Sequence, residues 1–290
     1  MEKQLHPLIA SIPAEVETSH QSVAKYIAEK ERDPHLRIKA IHDYIAERIS
    51  YDVKTMRSRD VDRRAPQDPK SVFESKLAVC DGYSQLFKAM VEEIGGQAEY
   101  IAGESRDIDG MVGDIAHAWN AVVIEGVWYL VDVTWDSGAV KGDDFLKQYS
   151  TDYLLTPPDL FVVTHFPSHE KWQLLQEPIS RGEFLRKPML RPSFYAEGLK
   201  LVSPERSQVT VEGGAFEVVL QNRGSFYLIG TVRSKPSAEE KECKVRYEKS
   251  EAKIRCELPG PGEYVVRMYG SKIAYGSYPM IGMFDVNAKG

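Results

Sequence analysis

Three stretches near the start of the chain repeat apolar residues at helical spacing. Residues 21–31 and 35–49 are the first two, the second carrying Ile38, Ile41, Ile45 and Ile49 near one face. Asp33-Pro34 supplies a capping side chain and a first-turn proline for it. In the third stretch Tyr83, Leu86, Phe87, Met90, Val91 and Ile94 make one stripe, and Cys80 lies on it. Gly95-Gly96 is the stop, because glycine takes a left-handed cap without steric cost. The spacing predicts a helix over 80–94.

The period then changes to that of strands. Val122-Val123-Ile124 and Val127-Trp128-Tyr129-Leu130-Val131 flank Glu125-Gly126, which reads as a two-residue hairpin turn. With that turn Ile124 faces Val127; counting outwards, Trp119 faces Asp132 and His117 faces Thr134. His117 and Asp132 become diagonal neighbours on one sheet face, with backbones roughly 7–8 Å apart. A three-residue turn would put them on opposite faces.

Towards the C-terminus, short strands at 199–202, 209–220, 226–233, 244–247, 253–258, 263–269 and 280–286 alternate with Gly, Pro, Asn and Ser clusters. Such spacing predicts an immunoglobulin-like β-sandwich over 197–290. Pro178, Pro188 and Pro192 mark a linker over 176–196, leaving an N-terminal domain over 1–175. Two segments without periodicity, 54–70 and 106–114, are expected to wall a cleft, since long loops in compact domains commonly bind substrate.

Composition agrees with two domains: 290 residues, 42% hydrophobic and 28% charged, can bury sizeable cores but are many for one. A net charge of -6 and a pI near 5.7 give no reason to expect nucleic acid or an anionic membrane as partner. Arg57, Arg59, Arg63 and Arg64 are interleaved with Asp60 and Asp62, so this cluster reads as a solvated loop. No apolar run approaches the roughly 20 residues of a membrane helix. Pro7, Pro13 and acidic residues stand where a signal peptide would be apolar. The expectation is a cytoplasmic protein, with secretion after loss of a leader as the alternative.

Chemistry enters through Cys80. At a helix start its sulfur lies beside unpaired backbone N–H groups and the positive end of the helix dipole, which favour thiolate. An ordinary thiol ionises near ~8.5, so a nucleophilic cysteine needs a base, and His117 is the candidate. Asp132 would hold the imidazole in one tautomer and stabilise its cation. Alone, each has a bland reading: a buried inert thiol, a strand histidine, a turn aspartate. Their conjunction predicts a catalytic Cys80, His117 and Asp132. Trp119 and Trp135 are expected to pack the core or the cleft wall, Asn120 to orient a loop, and Gln85 to be peripheral. His165 and His169 lie beyond this core without a second metal-ligand pattern, so neither a metal nor a cofactor is expected.

The strings Cys80-Asp81-Gly82-Tyr83-Ser84, His117-Ala118-Trp119-Asn120 and Gly126-Val127-Trp128-Tyr129-Leu130-Val131-Asp132-Val133-Thr134-Trp135 resemble the transglutaminase-like superfamily. Asp152-Tyr153-Leu154-Leu155-Thr156-Pro157, His165-Phe166-Pro167 and Trp172-Gln173-Leu174-Leu175 are similar to its kyphoscoliosis peptidase branch. The resemblance implies an α+β fold: a papain-like cysteine protease core with N-terminal helices, followed by the sandwich. It also implies an upstream aromatic that assists the oxyanion. Tyr51 is the candidate here, although a core tyrosine ending the second helix is the favoured reading. One departure is Ala78, where family members often have glycine; it implies a different loop shape.

Cys243 and Cys256 fall opposite each other if 244–247 and 253–258 pair through a turn at Lys249-Ser250. That register also sets Lys244 against Arg255 and Glu248 against Glu251, which is unfavourable, so reduced core cysteines are favoured over a disulfide. The expected activity is acyl transfer on a protein or peptide substrate through a thioester, as transglutaminase, deamidase or protease. The alternative is a protein-interaction scaffold that makes little use of the triad. By fold analogy alone, the sandwich would recruit a protein partner.

Overall fold

The computed structural model describes residues 4–58, 60, 65–107, 110–113, 116–196, 198–235 and 237–289. It divides into two compact units: Met1–Ser105, Gly113–Phe161 and His165–Pro178, then Arg106–Val112, Val162–Thr164 and Ile179–Gly290.

In the first unit, the predicted helices are His20–Lys30, Pro34–Arg48 and Cys80–Glu93. Asp33 caps the second, its carboxylate accepting from the amides of His35 and Leu36 at 2.8 and 3.0 Å. Tyr83, Leu86, Phe87, Met90 and Val91 are buried together from the third. Each such side chain is worth ~1.5–3 kcal/mol of apolar burial, so the stripe sets the rotation of the helix and with it the direction of Cys80. The helix stops where Gly95 takes φ 76° and the Gly96 amide donates to the Val91 carbonyl at 3.0 Å.

The helix packs on an antiparallel sheet of strand order Leu154–Thr156, Val127–Val131, His117–Ile124, Ala98–Ser105, His165–Pro167. Ile124 pairs with Val127 and Asn120 with Val131, as the two-residue turn predicts. Glu125 and Gly126 both have positive φ, 51° and 82°, the requirement of a type I′ turn. The expected strand ends early, however. Asp132 is the N-cap of a short helix, Val133–Ser137, and accepts from the Trp135 amide at 3.2 Å. Thr134 therefore does not face His117, because a capping aspartate offers the backbone a helical start in place of the ladder.

The expected loop 54–70 begins and ends in short helices, Val53–Arg57 and Pro69–Ser75, capped by Asp52 and Asp68. Arg59, Asp62, Arg63 and Arg64 lie outside the described residues, whereas Arg57 pairs with Asp143. The other expected cleft wall is built differently. Arg106–Val112 folds with the C-terminal unit, where the buried Arg106 guanidinium donates to the carbonyls of Gly110, Phe184 and Lys187 at 3.2, 2.8 and 3.0 Å.

The second unit is a two-sheet β structure. One sheet runs Leu199–Ser203, Ala215–Asn222, Glu251–Glu257, Lys244–Glu248; the other has Met280–Lys289 and Gly262–Ser271 at its centre. The predicted strand 209–220 is two strands broken at Gly213-Gly214, the first of which pairs parallel with Met280–Lys289. Residues 176–196, expected as a linker, include a helix, Arg181–Arg186, and a strand, Met189–Leu190, paired with Met280–Lys289. Burial of Phe184, Leu190 and Phe194 orders this proline-containing segment. Lys244 does face Arg255 and Glu248 does face Glu251, and Cys243 and Cys256 are joined as a disulfide. The reduced pair favoured above is thus corrected: Lys244, Arg255 and Glu248 are exposed and Glu251 is half-buried, so water screens the opposed charges and they do not outweigh the pairing.

Candidate active site

Cys80 is a free cysteine, half-buried at the first position of its helix. Val79 before it is extended and has no side-chain cap of its own. Gln67 instead holds Val79 in place, its Oε1 accepting from the Val79 amide at 2.9 Å. Gly82 makes room for this. A Cβ there would come within 2.5 Å of Gln67 Oε1 and 2.9 Å of the Ala78 methyl. Ala78 itself lies in a two-residue parallel pairing, Ser50 with Leu77 and Tyr51 with Ala78, so this position has strand geometry.

That pairing delivers Tyr51 to the cysteine. The Asp52 amide donates to the Ala78 carbonyl at 2.8 Å, and the Tyr51 ring lies 6.4 Å from Tyr83 and 6.2 Å from Phe145. Burial, with Cys80 and Asp132 close by, raises the Tyr51 hydroxyl well above the ordinary range, so it remains a donor. Tyr100, which sequence reasoning passed over, also lies near Cys80 and bonds Asp81; burial, then Asp81, raise its hydroxyl too.

His117 Nε2 donates to Asp132 Oδ2 at 2.7 Å, leaving Nδ1 as the ring nitrogen on the other side. Burial opposes the imidazolium, but Asp132, together with a hydrogen bond and charge from Cys80, pushes His117 up to about 10. Asp132 is fully buried. Burial would raise its carboxyl, yet His117 and His165 hold it well below the usual carboxylate range. Cys80, His117 and Asp132 are therefore in one file, with His117 between the sulfur and the carboxylate.

Asn120 bridges the helix and the sheet, its amide donating to the carbonyls of Ser84 and Glu99 at 3.1 Å each. It orients the helix, not a loop. Trp119 is only 1% exposed, packed on His165 with ring centroids 5.0 Å apart; it belongs to the core and forms no cleft wall.

His165 is the residue that sequence reasoning left outside. Its Nε2 donates to the same Asp132 Oδ2 at 3.0 Å. The only cue was Gly103 in mid-strand, a residue type that marks close backbone approach. A Cβ there would meet the Phe166 carbonyl at 2.2 Å and the Trp119 ring at 2.6 Å. His117, Asp132 and His165 bring their ligand atoms within 4.8 Å of one another, close enough for a metal ion. A metal would have to displace both N–H···O bonds in a buried site, so the donor set suits proton chemistry better. Among the described residues, no helix is long and apolar enough to cross a membrane.

A half-buried cysteine at a helix start, set against a sheet that carries a histidine–carboxylate pair, defines the papain-like class of transglutaminase folds. Residues 21–133 match the sequence model of the transglutaminase-like superfamily and 181–290 that of the KY-like, immunoglobulin-like domain. The chain thus carries a transglutaminase-like domain followed by a KY-like immunoglobulin-like domain. It is 34% identical over 194 residues to the kyphoscoliosis peptidase of Mus musculus, covering 64% of this chain and 29% of that protein. Similarity to hillarin of Drosophila melanogaster is 30% over 137 residues, covering 41% of this chain and 17% of that one. A crystal structure of a TGase is 20% identical, covers 43% of this chain and 34% of its own, and has a TM-score of 0.33. The chain spans less than a third of the length of these curated relatives.

Proposed function

We propose that the N-terminal domain is a cysteine acyltransferase acting on protein substrates through a thioester. The observation that carries this reading is the file from Cys80 through His117 to a buried Asp132. Cys80 Sγ attacks a carboxamide or peptide carbonyl while His117 Nδ1 holds the thiol proton. The carbonyl oxygen becomes an oxyanion beside the Cys80 amide and the Tyr51 hydroxyl. Collapse breaks the C–N bond, the leaving amine takes the proton from His117, and a thioester remains on sulfur. His117 then deprotonates the acceptor, which displaces Cys80. An amine acceptor makes the enzyme a transglutaminase, and water makes it a deamidase or protease.

The C-terminal domain, with no comparable grouping among its described residues, is assigned the recruitment of a protein partner, and residues 1–175 the chemistry. Mass spectrometry of a protein mixture incubated with a labelled amine tests this, comparing wild type with Cys80→Ala. Cysteine-dependent isopeptide adducts indicate transfer, and cysteine-dependent cleavage or deamidation indicates hydrolysis. Identical products from both proteins would leave the scaffold reading.

A further inference from the structure

Asp132 serves two histidines through one oxygen. Oδ2 accepts from His117 at 2.7 Å and from His165 at 3.0 Å, while Oδ1 caps the Val133–Ser137 helix through the Trp135 amide. A carboxylate oxygen has two lone pairs, so both contacts can form together, each drawing on the same charge. His165 is 1% exposed and held on every side. The Phe161 ring stacks on it at 4.1 Å, Trp135 lies at 4.5 Å, Trp119 at 5.0 Å and Tyr153 at 5.3 Å. Its strand is fixed by the pairing of Ser105 with His165 and Gly103 with Pro167. Gly103 also pairs with His117, so one strand between them sets both histidines against the carboxylate.

Resting on the reading of Cys80 as nucleophile, we propose that His165 is a positioning residue: a neutral imidazole whose Nε2–H clamps Asp132 and takes a share of its charge, setting the basicity of His117. A buried carboxylate facing His117 alone would hold the imidazolium more tightly and make it a poorer donor of its proton to the leaving amine. The second donor moderates that grip and prevents the carboxylate from rotating. Asp132, His117 and the Phe161 carbonyl are among the groups facing His165, with Tyr153 beside the ring. Burial lowers it to about 4 despite Asp132, which keeps a second cation out of the site.

The test is the rate of iodoacetamide alkylation of Cys80 against pH in wild type, His165→Leu and His165→Gln. In wild type a thiolate–imidazolium pair gives a profile with a separate upper step where His117 loses its proton. Leucine removes the donor, so the upper step should rise by about one pH unit, the scale of one charge-assisted hydrogen bond. Glutamine restores a donor and should return it most of the way, which a merely structural role for the ring would not do. A wild type that titrates as an ordinary thiol near ~8.5 defeats the nucleophile reading itself. A paired wild type whose upper step is the same in His165→Leu overturns the role of His165. Should the leucine variant fail to fold, nitrogen-15 shifts of the wild-type histidines decide. A neutral His165 ring protonated at Nε2 at pH 7 supports the clamp, whereas a proton on Nδ1 alone, facing the Phe161 carbonyl, or a doubly protonated ring overturns it.

Discussion

His42 Nε2 and Asp136 Oδ2 lie 3.1 Å apart with no exposure to solvent, one helical turn beyond Asp132. Asp136 is reached through the short helix that Asp132 caps, its amide donating to the Asp132 carbonyl at 3.3 Å. On its other side His42 Nδ1 meets Asp43, which also accepts from Tyr149 at 2.8 Å and pairs with Lys39. The catalytic candidate thus stands on a buried charged network between the Pro34–Arg48 helix and the segment that carries Asp132.

Burial opposes protonation of His42, but hydrogen bonds and charge from Asp136 and Asp43 raise it to about 9. A folded value above the unfolded value of ~6.5 stabilises fully below pH ~6.5 and is lost as pH rises through about 9. Thermal unfolding of the N-terminal domain should therefore show a falling midpoint between pH 6.5 and 9. His42→Leu should roughly halve that slope, because His117, held up at about 10, adds one of the same sign in this window, and should cost about 3–5 kcal/mol at pH 6, because two buried carboxylates lose a partner. An unchanged midpoint in the variant would mean that the network does not carry the charge assigned to it.

Asp132→Asn separates charge from shape. The amide oxygen can still cap the Trp135 amide, so the short helix should persist, but the midpoint should fall at neutral pH because the buried His117 imidazolium loses its carboxylate. The imidazolium loses its stabilising carboxylate, and turnover should fall on the order of 10³–10⁴-fold, as when the acid of a catalytic triad is neutralised. Steady-state rates on the substrate identified by mass spectrometry check it, and a loss under tenfold would remove Asp132 from the chemistry.

Much of this site was legible because hairpin pairing is countable. The Glu125-Gly126 turn implied the register from Ile124↔Val127 to Asn120↔Val131, and so set Asp132 on the His117 side. Counting failed one residue later, where a side-chain cap competed with the ladder at Asp132. His165 was legible only through the indirect cue of Gly103. Strand order within a sheet depends on which edges remain free, and no spacing rule links His165 to a carboxylate 33 residues earlier. The disulfide was misjudged for a related reason: register was countable, but exposure of the opposed charges was not.

Gly103→Ala should be costly although the change is one methyl. Its Cβ would meet the Phe166 carbonyl at 2.2 Å and Pro167 Cα at 2.7 Å, and both are backbone atoms that cannot rotate away. Overpacking of this kind costs about 1–3 kcal/mol, and relief requires the His165 strand to move outwards. Chemical denaturation should show the loss of stability, together with a shift of the nitrogen-15 signal of His165. Unaltered stability would mean that the strand is not held at that distance.

Thiol counting tests the Cys243–Cys256 bond. Native protein should react with one equivalent of a disulfide reagent, at Cys80, and three should react after reduction in denaturant. With a sequence separation of 13 between the cysteines, Cys243→Ala together with Cys256→Ala should cost the C-terminal domain about 2–4 kcal/mol. Three reactive thiols before reduction would restore the reduced pair.

Tyr51→Phe distinguishes an oxyanion donor from a core aromatic. The ring packs between Tyr83 and Phe145, and phenylalanine keeps those contacts, so stability should change by less than about 1 kcal/mol. What is lost is the hydroxyl, raised by burial and by Cys80 and therefore protonated throughout the working pH range. If it donates to the tetrahedral oxyanion, turnover should fall on the order of 10²–10³-fold. Alkylation of Cys80 by iodoacetamide forms no oxyanion, so its rate should change by less than several-fold. Parallel losses in both reactions would place Tyr51 in the support of the thiolate, and loss in neither would return it to the core.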